Sequence, residues 1–238
     1  MSILIVDVGN TNIKLGIFIN KKLKRVFITP THHYQLNKSL SKLQISQIYI
    51  GSVVPSINKK LSNDLFKLTK VNPQKIKVTN FKAEFNLSKF NQSEIGTDIL
   101  SLALFIKKTV HKGAGICFGT ASYAVAVDNK TMHGAIIAPP IITGIEKLHL
   151  STSMLRQTNM KMKQSFKFGS NTIEALTSGA AYMANGFITG IINYCKKHYG
   201  MTHFIITGGK ARELELIDKI SGATIVDNAI LLGYQYLI

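Results

Sequence analysis

Cysteine is nearly absent from this chain, with only Cys117 and Cys195 among 238 residues. Two thiols cannot build a disulfide framework, which excludes a stapled secreted scaffold and suits a reducing cytoplasm. No apolar run has the length of a bilayer span; the best candidate, 135–145, contains Pro139 and Pro140. The N-terminus lacks a basic leader and a cleavage site, and Asp7 breaks its apolar run, so no signal peptide is read there. The expectation is a soluble cytoplasmic protein with no membrane partner. The seven histidines show no metal-ligand spacing. Gly208-Gly209-Lys210-Ala211 lacks the spacing and the hydroxyl residue of a P-loop, and Gly113, Gly115 and Gly119 miss the dinucleotide fingerprint by one residue.

Acidic residues are scarce as well. Twelve Asp and Glu stand against 29 Lys and Arg, a formal net charge of +17. Such a surface attracts polyanions, phosphorylated ligands included. The lysines are scattered, however, mostly as pairs such as Lys21-Lys22, Lys59-Lys60, Lys107-Lys108 and Lys196-Lys197. No recognition helix or aromatic RNA-binding signature accompanies them, so solvated faces account for the charge and no dedicated nucleic-acid binding is expected.

What is present is an α/β pattern organised around the opening stretch. Ile3 to Val8 is an apolar run closed by Gly9-Asn10-Thr11-Asn12, and Ile13 to Phe18 is a second run. The two predict a hairpin with Gly9 to Asn12 at its turn and Asp7 near the strand end. Gly9 permits close backbone approach, and Asn10 and Thr11 add an amide and a hydroxyl. A carboxylate for magnesium beside donors for phosphate oxygens is what nucleotide phosphates require, although an ordinary polar turn has the same residues.

A third strand is expected over Leu23–Ile28 and a helix near Tyr34–Leu43. A buried strand over Ile48–Val54 is stopped by Pro55, with Ser56 placed to cap a helix to about Thr69. Lys75–Val78 reads as a short strand. Gly96-Thr97-Asp98 introduces a helix to about Val110. Cys117-Phe118-Gly119-Thr120-Ala121 then aligns with Asp7-Val8-Gly9-Asn10-Thr11, followed by strands over Ser122–Val127 and Met132–Ala138, so strand, glycine turn and hairpin recur. A helix over Ile141–Leu155 and a polar loop over Asn159–Lys167 follow. Ser170-Asn171-Thr172 caps a long helix whose Gly179, Gly186 and Gly190 imply close approach of another element, within the subunit or across a dimer. A buried strand at His203–Ile206 leads into Thr207-Gly208-Gly209, then come a helix, a short strand over Ala223–Val226 and a terminal helix, Ala229–Leu237. Two domains are expected, 1–112 and 113–238.

The order of these pieces resembles the acetate kinase, sugar kinase, Hsp70 and actin superfamily, and within it type III pantothenate kinase. The resemblance runs through Asp7-Val8-Gly9-Asn10-Thr11, Ser52-Val53-Val54-Pro55, Gly96-Thr97-Asp98, Gly119-Thr120-Ala121 and Gly134 to Pro139. It continues through Gly169-Ser170-Asn171-Thr172, Thr207-Gly208-Gly209 and Asp227 to Gly233. It implies duplicated ribonuclease H-like (actin-like ATPase) domains with a nucleotide cleft between them. It also implies ATP-dependent phosphorylation of pantothenate to 4'-phosphopantothenate, the first step toward coenzyme A, with Mg2+ and a monovalent cation (K+ or NH4+) as cofactors and a homodimer as the assembly. By resemblance Asp7 holds the metal, and Gly9, Asn10 and Thr11 cradle phosphates. Gly119 and Thr120 form a second phosphate turn, and Gly208 and Gly209 border the adenosine. Gly96, Thr97 and Asp98 meet pantothenate, Asp98 accepting its hydroxyl proton, with Thr152 reaching it across the dimer.

Departures from the family pattern fall at Ile99, at Cys117, at Gly134-Ala135 with Pro139-Pro140, and at Thr152-Ser153-Met154-Leu155-Arg156; the first two bear on the chemistry. Ile99 stands where the family has an arginine after the catalytic aspartate, and Cys117 stands where it has a cation-binding aspartate. Losing an arginine removes a bidentate anion clamp, for which Lys107, Lys108 and Arg156 are candidate replacements. A thiol is a poor ligand for potassium or magnesium, which favour oxygen. The alternative reading is therefore a catalytically impaired member that binds nucleotide as a regulatory or structural protein. Asp98 has its own alternative, that it favours a helix N-terminus.

Overall fold

The computed structural model describes residues 2–148, 167–213 and 223–238. By its contacts the chain divides into two compact units, Met1–Lys108 with Ala229–Ile238, and Thr109–Asn228. The last ten residues, expected within the second half, belong to the first unit.

The first unit is built on β1 (Ser2–Val8), β2 (Asn12–Ile19), β3 (Lys22–Pro30), β4 (Ile45–Ser52) and β5 (Pro73–Lys75), in the sheet order β3-β2-β1-β4-β5. β1 pairs antiparallel with β2 and parallel with β4. Leu4, Val6 and Val8 lie on one face with Leu61 and Leu65 of helix α1 (Pro55–Thr69). The alternation of a strand sends Ile5 and Asp7 to the opposite face. Helix α5 (Ala229–Gln235) packs there: a Cβ on Gly16, the partner of Ile5, would lie 3.1 Å from Leu231 Cδ1. Helix α2 (Thr97–Val110) is tied to α5 by Ser101 Oγ, which donates to the Ile230 carbonyl at 2.6 Å.

The second unit repeats this plan with β6 (Lys112–Phe118), β7 (Ser122–Asp128), β8 (Thr131–Ala138), β9 (Phe204–Thr207) and β10 (Ala223–Ile225), in the order β10-β9-β6-β7-β8. Again the first strand of the hairpin pairs antiparallel with the second and parallel with the strand after the crossover. Ala114, Ile116 and Phe118 pack with Ala180, Ala184 and Ile188 of the long helix α4 (Thr172–Tyr199), which follows the short α3 (Ile141–Glu146).

Several local expectations change. The segment expected as a helix near Tyr34–Leu43 forms only a 3-10 turn, Lys38–Lys42. Asn37 Oδ1 accepts the Ser39 N–H at 2.9 Å, and Leu40 is its one buried residue, so an α-helix there would have no apolar stripe to bury. Ser56 caps nothing: α1 begins at Pro55, whose fixed φ suits a first helical position. The strand expected at Lys75–Val78 lies earlier, at Pro73–Lys75, and Val78–Phe81 is a 3-10 turn. Asn171 is the cap of α4, its Oδ1 accepting from the Glu174 N–H at 3.0 Å. The rest of the helix expected to Leu155, nearly all of the 159–167 loop, and the helix expected before β10 fall outside the described residues beyond Leu148 and Glu213.

Candidate active site

In the first unit the turn between β1 and β2 is built by backbone bonds. The Gly9 N–H donates to the Asn12 carbonyl at 3.0 Å. Thr31, just past β3, clasps the turn from the side: its Oγ1 donates to the Gly9 carbonyl at 2.7 Å and its N–H to the Thr11 carbonyl at 2.9 Å. Asn10 and Thr11 are left exposed at the tip. Thr31 was not singled out from sequence, because only the pairing of β3 with β2 brings it back to the turn.

Asp7 stands two residues before Gly9, paired with Lys14 on β2 and Gly51 on β4. Its carboxyl is pushed up from 3.8 to about 7, first by desolvation and then by the charge of Asp98, with Lys14 acting in the opposite direction. Asp98 lies in the first turn of α2. Its carboxyl is also raised by burial, while backbone N–H groups of Ile99 and of Asp98 itself hold it back. Gly96 makes this placement possible, since a Cβ there would overlap Asp98 Oδ1. The Gly96 carbonyl accepts the Leu100 N–H at 3.2 Å, opening the helix. Gly96, Thr97, Asp98 and Asp7 thus gather around two desolvated carboxylates close enough to repel each other.

Ile99 is buried, so no cation stands directly beyond Asp98. Lys107 and Lys108 do not replace it. Both bind Glu84, at 2.6 and 2.9 Å, near the far end of α2, about 14 Å along the axis from Asp98 at 1.5 Å per residue. Arg156 and Thr152 lie outside the described residues. Lys14 is the cation acting on Asp7, and its role was not read from sequence.

In the second unit Gly119 N–H donates to the Ala121 carbonyl at 3.1 Å, forming the corresponding turn with Thr120 exposed. The Gly208 turn is brought against it. Gly208 has φ +112°, and a Cβ there would overlap the carbonyl oxygen of Phe118, so only glycine fits. The Lys210 N–H reaches the same Phe118 carbonyl at 3.2 Å, while Gly209 is exposed with open space around its Cα. Cys117 is buried on β6, opposite Thr207 of β9. Among the described residues no group of three His, Cys, Asp or Glu side chains gathers as a metal cage.

The comparisons with known proteins bear on this arrangement. The model of the type III pantothenate kinase family matches residues 3–194. The chain belongs to the type III pantothenate kinase family. It is 31% identical to the type III pantothenate kinase of Malacoplasma penetrans, over 98% of this chain and 94% of that one. It is 29% identical to that of Mycoplasma mobile, over 98% and 96%. Among solved structures it resembles a Baf family transcriptional activator from Campylobacter jejuni, with TM-score 0.65 and 18% identity over 99% and 96% of the two chains. It also resembles an activator of 2-hydroxyisocaproyl-CoA dehydratase from Clostridium difficile with bound ADPNP, with TM-score 0.57 and 12% identity over 99% and 92%. Those two likenesses show the fold, duplicated ribonuclease H-like units of the actin-like ATPase kind. No described helix is long and apolar enough to cross a membrane.

Proposed function

We propose that this protein transfers the terminal phosphoryl group of ATP to the primary hydroxyl of pantothenate, giving 4'-phosphopantothenate at the entry to coenzyme A synthesis. The observation that carries the reading is the pair of desolvated carboxylates, Asp7 and Asp98, in a chain of this family. Asp98 accepts the proton of the attacking hydroxyl, and its raised pKa brings it toward working pH, where a general base is most effective. Gly96 and Thr97 contact pantothenate beside it. Asn10 and Thr11 present carboxamide and hydroxyl groups to phosphate oxygens, and Gly9, with no side chain, lets the phosphates come close to the turn. Gly119, Thr120, Gly208 and Gly209 take the ATP roles that the family resemblance gives them.

Asp7 is the residue that would hold Mg2+. Its hard oxygen donors suit that ion, and a cation there would relieve its repulsion with Asp98. When bound, Mg2+ neutralises charge on the phosphates. Potassium or ammonium does not fit the second unit in the same way: Cys117 offers a buried thiol where an oxygen donor is needed. No step is routed through a monovalent cation.

A cytoplasmic homodimer completes the reading. On α4, Tyr182 and Met183 are exposed between Gly179, Gly186 and Gly190, and a Cβ on each of these glycines would meet open space. Such a surface allows a second helix to approach closely, and light scattering tests it directly. The activity is tested by ADP release coupled to pantothenate addition, with Asp98→Asn alongside. Pantothenate-dependent turnover lost in the variant supports the kinase; ATP binding without turnover in the folded wild type rejects it.

A further inference from the structure

The chain's last helix reaches the carboxylate pair. Tyr234 of α5 is fully buried, and its phenol donates to Thr97 Oγ1 at 3.0 Å across 137 residues of sequence. Gly51 shows where the ring lies. A Cβ on Gly51 would overlap the Cζ and hydroxyl oxygen of Tyr234, so the phenol fills the space a side chain at position 51 would take. Gly51 is the parallel partner of Asp7, and paired residues of adjacent strands present their side chains on the same face. The phenol therefore sits beside the Asp7 position; burial first, and then the charges of Asp7 and Asp98, keep it protonated.

The same two helices are braced one turn further along. Ser101 Oγ donates to the Ile230 carbonyl at 2.6 Å, and a Cβ on Gly233 would overlap the Ser101 carbonyl oxygen. Thr97 and Ser101 are four residues apart, hence on one face of α2, and α5 grips that face at both points. A phenol is a more acidic donor than an alcohol, so the phenol donates and Thr97 accepts.

We infer that Tyr234 is a positioning residue for phosphoryl transfer: acting through Thr97, it fixes the first turn of α2 and with it the Asp98 carboxylate. The inference rests on the kinase reading above. Packing alone would be satisfied by phenylalanine, which keeps the ring and lacks only the hydroxyl.

The test is a double-variant cycle on the full chain, using Tyr234→Phe, Thr97→Val and the two combined. Steady-state kinetics with ATP and pantothenate are read together with thermal melts. Tyr234→Phe is expected to lower kcat roughly tenfold, the value of one buried hydrogen bond, with KM for ATP unchanged and the melt little altered. In the Thr97→Val background the tyrosine substitution should change kcat by less than about twofold, because the coupling partner is already gone. Independent, multiplicative losses would overturn the inference, as would a kcat for Tyr234→Phe equal to that of wild type. A lowered melting temperature with unchanged kcat per folded molecule would also overturn it, reducing Tyr234 to packing. An inactive wild type would overturn the kinase reading and this inference with it, whereas an active wild type beside an unimpaired Tyr234→Phe overturns this inference alone.

Discussion

β1 and β6 hold the same place in two sheets of the same strand order, yet the residue two before the turn glycine is Asp7 in one and Cys117 in the other. Both point away from the face that carries the main apolar cluster of their unit. The fold therefore accepts either a carboxylate or a thiol there. Their energetics differ: a buried thiol packs as a small hydrophobe, whereas a desolvated carboxylate beside a second one destabilises the folded state. Packing explains Cys117 and does not explain Asp7. The neighbouring strands diverge as well, with Gly51 opposite Asp7 leaving room for Tyr234, and Thr207 opposite Cys117. The first unit's strand carries the acid, and the second keeps the turn without it.

The largest test of that asymmetry is Asp98→Asn, which should lower kcat by about 10²–10⁴-fold while leaving the melting temperature close to wild type. A variant that kept most of its turnover would remove the general base from this site.

Asp7→Asn separates stability from activity. Because its folded-state pKa is raised from 3.8 to about 7, Asp7 favours the folded state relative to high pH only while protonated. Stability from this group is fully present below pH 3.8, declines as pH rises through 7, and at pH 8 the ionised carboxylate costs on the order of 2–4 kcal/mol. The asparagine variant should therefore be more stable than wild type at pH 8 and indistinguishable near pH 4, by urea unfolding at both values. Equal stability at pH 8 would mean that Asp7 is not desolvated.

Glycines near the two turns provide a smaller comparison. Gly51→Ala meets the Tyr234 ring, and Gly208→Ala meets the Phe118 backbone at a positive φ, so each should lose about 2–3 kcal/mol. Gly209→Ala, with open space around it, should lose less than about 1 kcal/mol. Equal losses at Gly208 and Gly209 in chemical denaturation would contradict the close approach at Phe118.

The smallest effect concerns the monovalent cation. Exchanging potassium for a bulky organic cation should change wild-type turnover by less than about twofold, because a thiol offers K+ no suitable donor. Cys117→Asp should introduce a potassium response by restoring a carboxylate to that strand. A strong potassium dependence in wild type would show that other oxygens serve the site.

The hairpin around Gly9, its repeat around Gly119, the cap at Asn171 and the helix opened by Gly96-Thr97-Asp98 were all legible in the sequence. Each is written in contiguous residues: an apolar run, a turn glycine, a capping side chain. The segment near Tyr34 misled: a helix was expected there, but the structure forms a 3-10 turn that buries only Leu40. Thr31, Lys14, Gly51 and Tyr234 were not legible as parts of a site. The partners of Thr31, Gly51 and Tyr234 lie tens of residues or more than a hundred away, Lys14 meets Asp7 only through the register of the hairpin, and nothing in Leu232-Gly233-Tyr234 signals that its phenol meets Thr97.

The sequence by itself determined the two hairpins, their duplication and the two aspartates, because strand and helix periodicity and turn chemistry act over a few neighbouring residues. Only tertiary structure decided that the C-terminal helix joins the first unit and that Gly51 makes room for its tyrosine. It also raised Asp7 to about 7 and Asp98 above its ordinary value. Desolvation and like-charge repulsion depend on what the rest of the chain places around a carboxylate, and those neighbours exist only once the chain has folded.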